Sequence, residues 1–178
     1  MATGDHGTLA HGAVVDARRA LADRRVGSHL GGFLMDPTVA SWRREQRSRL
    51  LAMRRTLPSD ERQRAAETVA GKLDDILETR GIATIGLYWP IKLEINLLPW
   101  ATRLDGQGNS RLGLPVVVTP KAPLEYWRWT PGDDMVLGSW NIPVPARREM
   151  VVPELLLAPL VGFDHARYRL GYGSGYFD

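Results

Sequence analysis

The chain has 178 residues and a formal net charge of +3, with 44% hydrophobic and 24% charged residues. That apolar share supplies one ordinary core and excludes a disordered protein. The absence of cysteine excludes disulfides, thiolate catalysis and cysteine-ligated zinc or iron–sulfur centres. No apolar run approaches the ~20 residues that a membrane-spanning helix needs, and no apolar signal core opens the chain. The composition predicts a soluble cytoplasmic protein with no membrane partner.

Residues 1–40 hold three of the four His and no sustained pattern, and they read as a poorly ordered extension. Met35, just before Asp36-Pro37, marks an alternative start. Residues 41–178 read as one α/β domain. A helix is predicted from Ser41 to about Arg55, with Leu50, Leu51 and Met53 on its apolar side. Pro58 breaks it, and Ser59 with Asp60 and Glu61 opens a second helix as an N-cap followed by acids. Ala66, Val69, Ala70, Leu73, Ile76 and Leu77 give that helix its apolar face, and Gly81 closes it.

Ile82–Trp89 is a continuous apolar run, expected of a strand covered on both faces. A third helix is predicted over Leu97–Leu104, an Asp105-Gly106 turn after it, and strands over Leu112–Val118, Leu124–Trp129 and Leu155–Leu160. This order of elements indicates an α/β sheet with helices packed against it.

Charge is uneven. Ser41 to Arg64 holds eight Arg (43, 44, 47, 49, 54, 55, 62, 64) against Glu45, Asp60 and Glu61, a local balance of 8 − 3 = +5. An anionic partner is felt first there. Arg43 and Arg47, four apart on one helix face, suit the grip of a polyphosphate or an ordinary solvated face.

The strongest local signal is Gly171-Tyr172-Gly173-Ser174-Gly175 behind Arg169. Alternating glycines permit positive φ and close approach of backbone N–H groups to an anion. They equally make a glycine-rich turn. The dinucleotide fingerprint fails because position 176 is Tyr, and the P-loop fails for want of Gly-Lys-Ser/Thr. The nucleophile elbow fails because Tyr172 and Tyr176 flank Ser174 where Gly is needed. Asp178 beside Tyr176-Phe177 is either a solvated charge or a magnesium contact. Glu94 follows a strand end, where α/β sheets bind ligands, and Trp89, Trp140 and Tyr176 are either core or walls for a flat heterocycle.

Arg43 and Arg47, then YWPIKLE (88–94), SWNIP (139–143), LLLAPLVGFD (155–164) and RLGYGSGYFD (169–178) together resemble the 5-formyltetrahydrofolate cyclo-ligase, or methenyltetrahydrofolate synthetase, family. The resemblance implies an open three-layer α/β sheet with helices on both faces, like that of sugar-phosphate isomerases and coenzyme A transferases. It implies an enzyme that uses Mg-ATP to turn 5-formyltetrahydrofolate into 5,10-methenyltetrahydrofolate, giving ADP and phosphate; a monomer is expected. In that family the formyl oxygen takes the γ-phosphoryl group, a folate nitrogen attacks the activated carbon, and phosphate leaves as the ring closes. The resemblance puts ATP contacts on Arg43, Arg47, Arg169, Leu170, Gly171, Tyr172, Gly173, Ser174, Gly175, Tyr176 and Phe177. It puts folate contacts on Trp89, Glu94 and Trp140, and a magnesium ligand on Asp178.

Asn96 and Val144 depart from the family pattern, which usually has an acid at the first position and Glu or Gln at the second. Members also continue past position 178 with another strand, so the resemblance predicts a chain truncated at its carboxyl end, with an exposed sheet edge and weak or no turnover. The competing readings are an inactive relative that binds folate or nucleotide, and a nucleic-acid binder using the Arg-rich helix. The last has no recognised motif behind it, and no nucleic-acid partner is expected.

Overall fold

The computed structural model describes residues 37–177. The predictions for Met35, for residues 1–36 and for Asp178 lie outside them. The described residues divide into two compact units, one holding residues 37–53 with Leu160–Gly173, the other Arg54–Pro159 with residues 174–177.

Helix α1 spans Pro37–Thr56. It begins four residues earlier than the sequence reading, because Pro37 at a helix start loses no hydrogen bond and its fixed φ suits the first turn. Residues 37–40 are therefore helical. In the first unit α1 meets a hairpin of β8 (Gly162–Phe163) and β9 (Arg169–Leu170), antiparallel with Gly162 opposite Leu170. The hairpin loop is set by Asp164, whose carboxylate accepts the Tyr168 N–H at 2.8 Å while its carbonyl accepts the Arg167 N–H at 2.9 Å. Buried Leu50 of α1 lies against β8, and a methyl group at Gly162 would sit 2.7 Å from Leu50 Cδ1.

The second unit begins with α2 (Ser59–Arg80). Pro58 takes the capping position and no side chain caps the helix, so Ser59 is its first residue and not its cap. Instead the Arg62 guanidinium donates to the Leu57 carbonyl. At the other end Gly81 adopts φ 61° and its N–H reaches the Leu77 carbonyl at 2.9 Å, as its sequence position predicts.

The sheet has five strands in the order β6-β3-β2-β1-β7. These are β1 (Thr84–Gly86), β2 (Arg111–Val116), β3 (Glu125–Arg128), β6 (Met150–Val151) and β7 (Leu155–Leu156). Strand β1 runs parallel to β2 and β7, while β3 is antiparallel to β2 and β6. Helix α3 (Leu98–Gly106) crosses between β1 and β2 and absorbs the expected Asp105-Gly106 turn into its last residues. A separate hairpin, β4 (Met135–Leu137) and β5 (Pro143–Pro145), carries a 3-10 turn over Ser139–Asn141 at its tip.

Ile85 pairs with Leu112 and Gly86 with Gly113, so the two faces of the sheet differ. Ile85, Leu112 and Leu114 join Leu73 and Leu77 of α2 and Trp100, Ala101 and Leu104 of α3 in one buried cluster. On the opposite face the glycines make room for bulk from neighbouring strands. A methyl group at Gly86 would sit 2.7 Å from Tyr126 Cε1 and one at Gly113 2.6 Å from Val151 Cγ2. Two polar clamps tie the elements. Asp74 of α2 accepts from Trp100 Nε1 and Arg103 Nη2 of α3, each at 2.7 Å. Glu154 Oε2 accepts the N–H groups of Ala83 and Thr84, each at 2.8 Å, at the start of β1. Those two backbone bonds hold the Glu154 carboxyl below its ordinary range.

Candidate functional site

The candidate residues fall in both units. In the first, Arg47 on α1 donates from Nε to the Gly171 carbonyl at 2.7 Å, across 124 residues of sequence. A methyl group at Gly173 would lie 3.1, 3.2 and 3.3 Å from Arg47 Cζ, Nη2 and Nη1. Three such similar distances mean that Gly173 faces the flat side of the guanidinium. Gly173 has φ 90°, a left-handed conformation that L side chains avoid. Arg43, one turn earlier on α1, is exposed, while Arg169 and Leu170 form β9 and lead directly into this segment.

In the second unit Trp140 meets Tyr176 edge to face, ring centroids 5.4 Å apart at 72°. The Tyr176 hydroxyl accepts the Lys121 N–H at 3.2 Å. Gly175, just before it, has φ 81°. Trp140 is 63% exposed, so its ring is a surface wall and not core. Trp89 takes the other option: it packs edge-on against buried Trp129 at 6.4 Å, on the rim of the main cluster.

Glu94 is buried, with 8% of its surface exposed. Its Oε2 accepts the Ile91 N–H at 2.8 Å, and its own N–H donates to the Ile91 carbonyl at 3.0 Å. The turn between them places Lys92 at φ 49° and Leu93 at φ 60°. Burial, and then the Glu94 charge, push the Tyr88 hydroxyl up to about 12, and it donates to the Ile95 carbonyl at 2.8 Å.

A second left-handed pair, Trp140 (φ 56°) and Asn141 (φ 57°), sits at the tip of the β4–β5 hairpin. Such positions cost about 1–3 kcal/mol each for non-glycine residues and collect where binding is organised. Both pairs fall inside segments singled out from the sequence, 88–94 and 139–143. Lys121 is left-handed too, at φ 63°. Its link to Tyr176 was missed from sequence, although Pro120 and Pro123 around it signal a turn.

The two departures from the family pattern have local explanations. Asn96 Oδ1 accepts the Leu98 N–H at 3.0 Å at the start of α3, a task an acid would also perform. Val144 is buried under its hairpin, and a methyl group at Gly138 would lie 3.1 Å from its Cγ1.

The glycine segment and its guanidinium suit a phosphorylated ligand: they combine open backbone with positive charge. Among the described residues no group of three or more His, Asp or Glu is placed to hold a metal ion. Magnesium held mainly by phosphates needs only one or two carboxylates. A separate cleft of about 510 Å³, lined by Arg128, Thr130, Asp133, Asp134, Pro145, Ala146, Arg147 and Glu149, contains none of the candidate residues.

The model of the 5-formyltetrahydrofolate cyclo-ligase family matches residues 39–178. The chain belongs to that family. A 5-formyltetrahydrofolate cyclo-ligase of Haemophilus influenzae is 28% identical over 142 residues, covering 76% of this chain and 75% of the relative. Among solved structures, the 5,10-methenyltetrahydrofolate synthetase of Aquifex aeolicus superimposes with a TM-score of 0.64 at 31% identity. That match covers 76% of this chain and 70% of the other. The 5,10-methenyltetrahydrofolate synthetase of Mycoplasma pneumoniae gives 0.60 at 24% identity over 76% and 74%, a likeness of fold. The cyclo-ligase match runs through both compact units, from α1 to the glycine segment.

Proposed function

We propose that this cyclo-ligase family member converts 5-formyltetrahydrofolate to 5,10-methenyltetrahydrofolate in an ATP-dependent reaction that releases ADP and phosphate. The observation that carries the reading is the hydrogen bond from Arg47 to Gly171, which joins the basic helix to the glycine segment. In this reading Arg43, Arg47 and Arg169 bring positive charge to the triphosphate, and the backbone from Leu170 to Phe177 follows it. Charge neutralisation and alignment are the protein's main contribution to phosphoryl transfer. ATP supplies the phosphoryl group that makes the formyl oxygen a leaving group. Asp178 is the proposed magnesium contact.

Trp89, Glu94 and Trp140 are the proposed folate contacts. Glu94 suits the role because its carboxylate is held by the Ile91 N–H and so is oriented before any ligand arrives. Exposed Trp140, braced by Tyr176, offers an aromatic face to a flat ring. No described helix is long and apolar enough to cross a membrane, and the proposed setting is a cytoplasmic monomer.

The test is to mix the protein with Mg-ATP and 5-formyltetrahydrofolate and follow absorbance in the band of the methenyl product, with a control lacking nucleotide. Nucleotide-dependent growth of the band supports the reading. A folded protein that shows neither growth of the band nor Mg-ATP binding overturns it.

A further inference from the structure

Arg47 makes contacts within the protein before any anion arrives. Its Nε is already committed to the Gly171 carbonyl, in a half-buried bond of 2.7 Å. Its flat face lies against Gly173, where an added methyl group would sit 3.1–3.3 Å from the guanidinium, so that the guanidinium would have to give way by a few tenths of an ångström. Three residues further along the same helix, Leu50 packs on Gly162 of β8 in the same manner. Residues spaced i and i+3 share one helix face. That face of α1 therefore seats the hairpin at two glycines, one in β8 and one just beyond β9.

We propose that Arg47 is a positioning residue for the glycine segment, required as arginine and not merely as a positive charge. The proposal rests on the nucleotide reading above and assigns Arg47 a task within it. The peptide between Gly171 and Tyr172 is planar and trans, so fixing its carbonyl on Arg47 also fixes the direction of the Tyr172 N–H on its opposite side. The guanidinium plane then bounds the space in which Gly173 takes its left-handed turn. Lysine would bring the same charge on a flexible stem, with neither a donor at the Nε position nor a plane for Gly173 to rest on. Glycine at 173 is needed twice over, for φ 90° and for contact with Arg47.

The test compares the full chain with Arg47→Lys, with Arg49→Lys as the control on the same helix. Hydrogen exchange of a peptide covering 169–175 is measured without nucleotide, and affinities for Mg-ATP and for 5-formyltetrahydrofolate are measured by calorimetry. Arg47→Lys is expected to speed exchange in that peptide and to weaken Mg-ATP about tenfold or more, as for loss of a hydrogen bond made by a charged group. The folate affinity stays as in the parent, the unfolding midpoint falls by no more than the loss of one such bond allows, and Arg49→Lys changes nothing. Gly173→Ala weakens Mg-ATP in the parent but by a smaller factor in Arg47→Ala, because the guanidinium it collides with is gone.

Arg47→Lys with parental exchange and parental Mg-ATP affinity would overturn the proposal, as would strictly multiplicative effects of the two alanine changes. If the parent does not bind Mg-ATP at all while Arg47→Lys still loosens the peptide, the anchor stands and the nucleotide reading falls.

Discussion

The carboxylate of Glu94 closes back on the N–H of Ile91, and the two residues exchange a second bond in the opposite direction through their backbones. The turn between them is left-handed at both Lys92 and Leu93, so the Glu94 carboxylate helps to hold a conformation that those side chains disfavour.

Glu94→Ala should therefore lower stability by about 1.5–3 kcal/mol, the range for a hydrogen bond to a charged group whose partner is left without it. Glu94→Gln keeps an acceptor and should recover most of that loss. Under the proposed function both variants lose affinity for the folate. Urea titrations read the first effect and folate binding the second.

The clamp of Asp74 on Trp100 and Arg103 gives a pH prediction. Burial raises the Asp74 carboxyl, but the hydrogen bonds from Arg103 and Trp100 and the Arg103 charge outweigh it, so the group sits below its ordinary value of 3.8. A depressed carboxyl contributes stability that is fully present above 3.8 and fades as pH falls through the folded-state value. The Asp74 and Arg103 side chains are 38% and 55% exposed, so solvent screening limits Asp74→Asn to a loss of about 0.5 kcal/mol near neutral pH. Denaturant midpoints of the parent and Asp74→Asn should differ at pH 7 and converge in acid.

Glycines at three positions should respond in opposite directions to the same change. Gly113→Ala and Gly86→Ala force a methyl group into Val151 or Tyr126 and should each cost about 1–3 kcal/mol. Gly71, inside α2, has nothing within 4 Å of the added methyl, and Gly71→Ala should stabilise the chain by about 0.5–1 kcal/mol. Thermal unfolding of the three variants checks the contrast.

Tyr126 is buried, and among the described residues its hydroxyl has no hydrogen-bond partner. Burial also pushes that hydroxyl far up from its ordinary value, so it stays protonated. Tyr126→Phe removes an unpaired donor while keeping the ring. It should leave stability equal or raise it by up to about 1 kcal/mol, as read from the unfolding midpoint.

Helices were the most legible elements in the sequence, because their apolar spacing and end signals are local. Leu73 and Leu77 mark the buried face of α2, and Gly81 ends it as read. Strands were less legible. Ile82–Trp89 is uniformly apolar, yet only Thr84–Gly86 forms a ladder, since pairing depends on where β2 and β7 begin and end. The short strands β4, β5, β6, β8 and β9 were not foreseen, because two or three residues carry no period to detect. Around the candidate site, glycines and aromatics stood out by composition. The partners of Arg47, Trp140 and Tyr176 depend on loops brought together by the fold and leave no local trace.

The two aligned glycines of β1 and β2 act as a key for the sheet. The Tyr126 ring, starting from β3, needs a shallow lane across two strands, and only the pairing of Gly86 with Gly113 opens one. Sliding either strand by a single residue would set Ile85 or Leu112 beneath the ring and close the lane. Misaligned sheets are thus rejected by shape on this face as well as by the burial of Ile85 and Leu112 on the other.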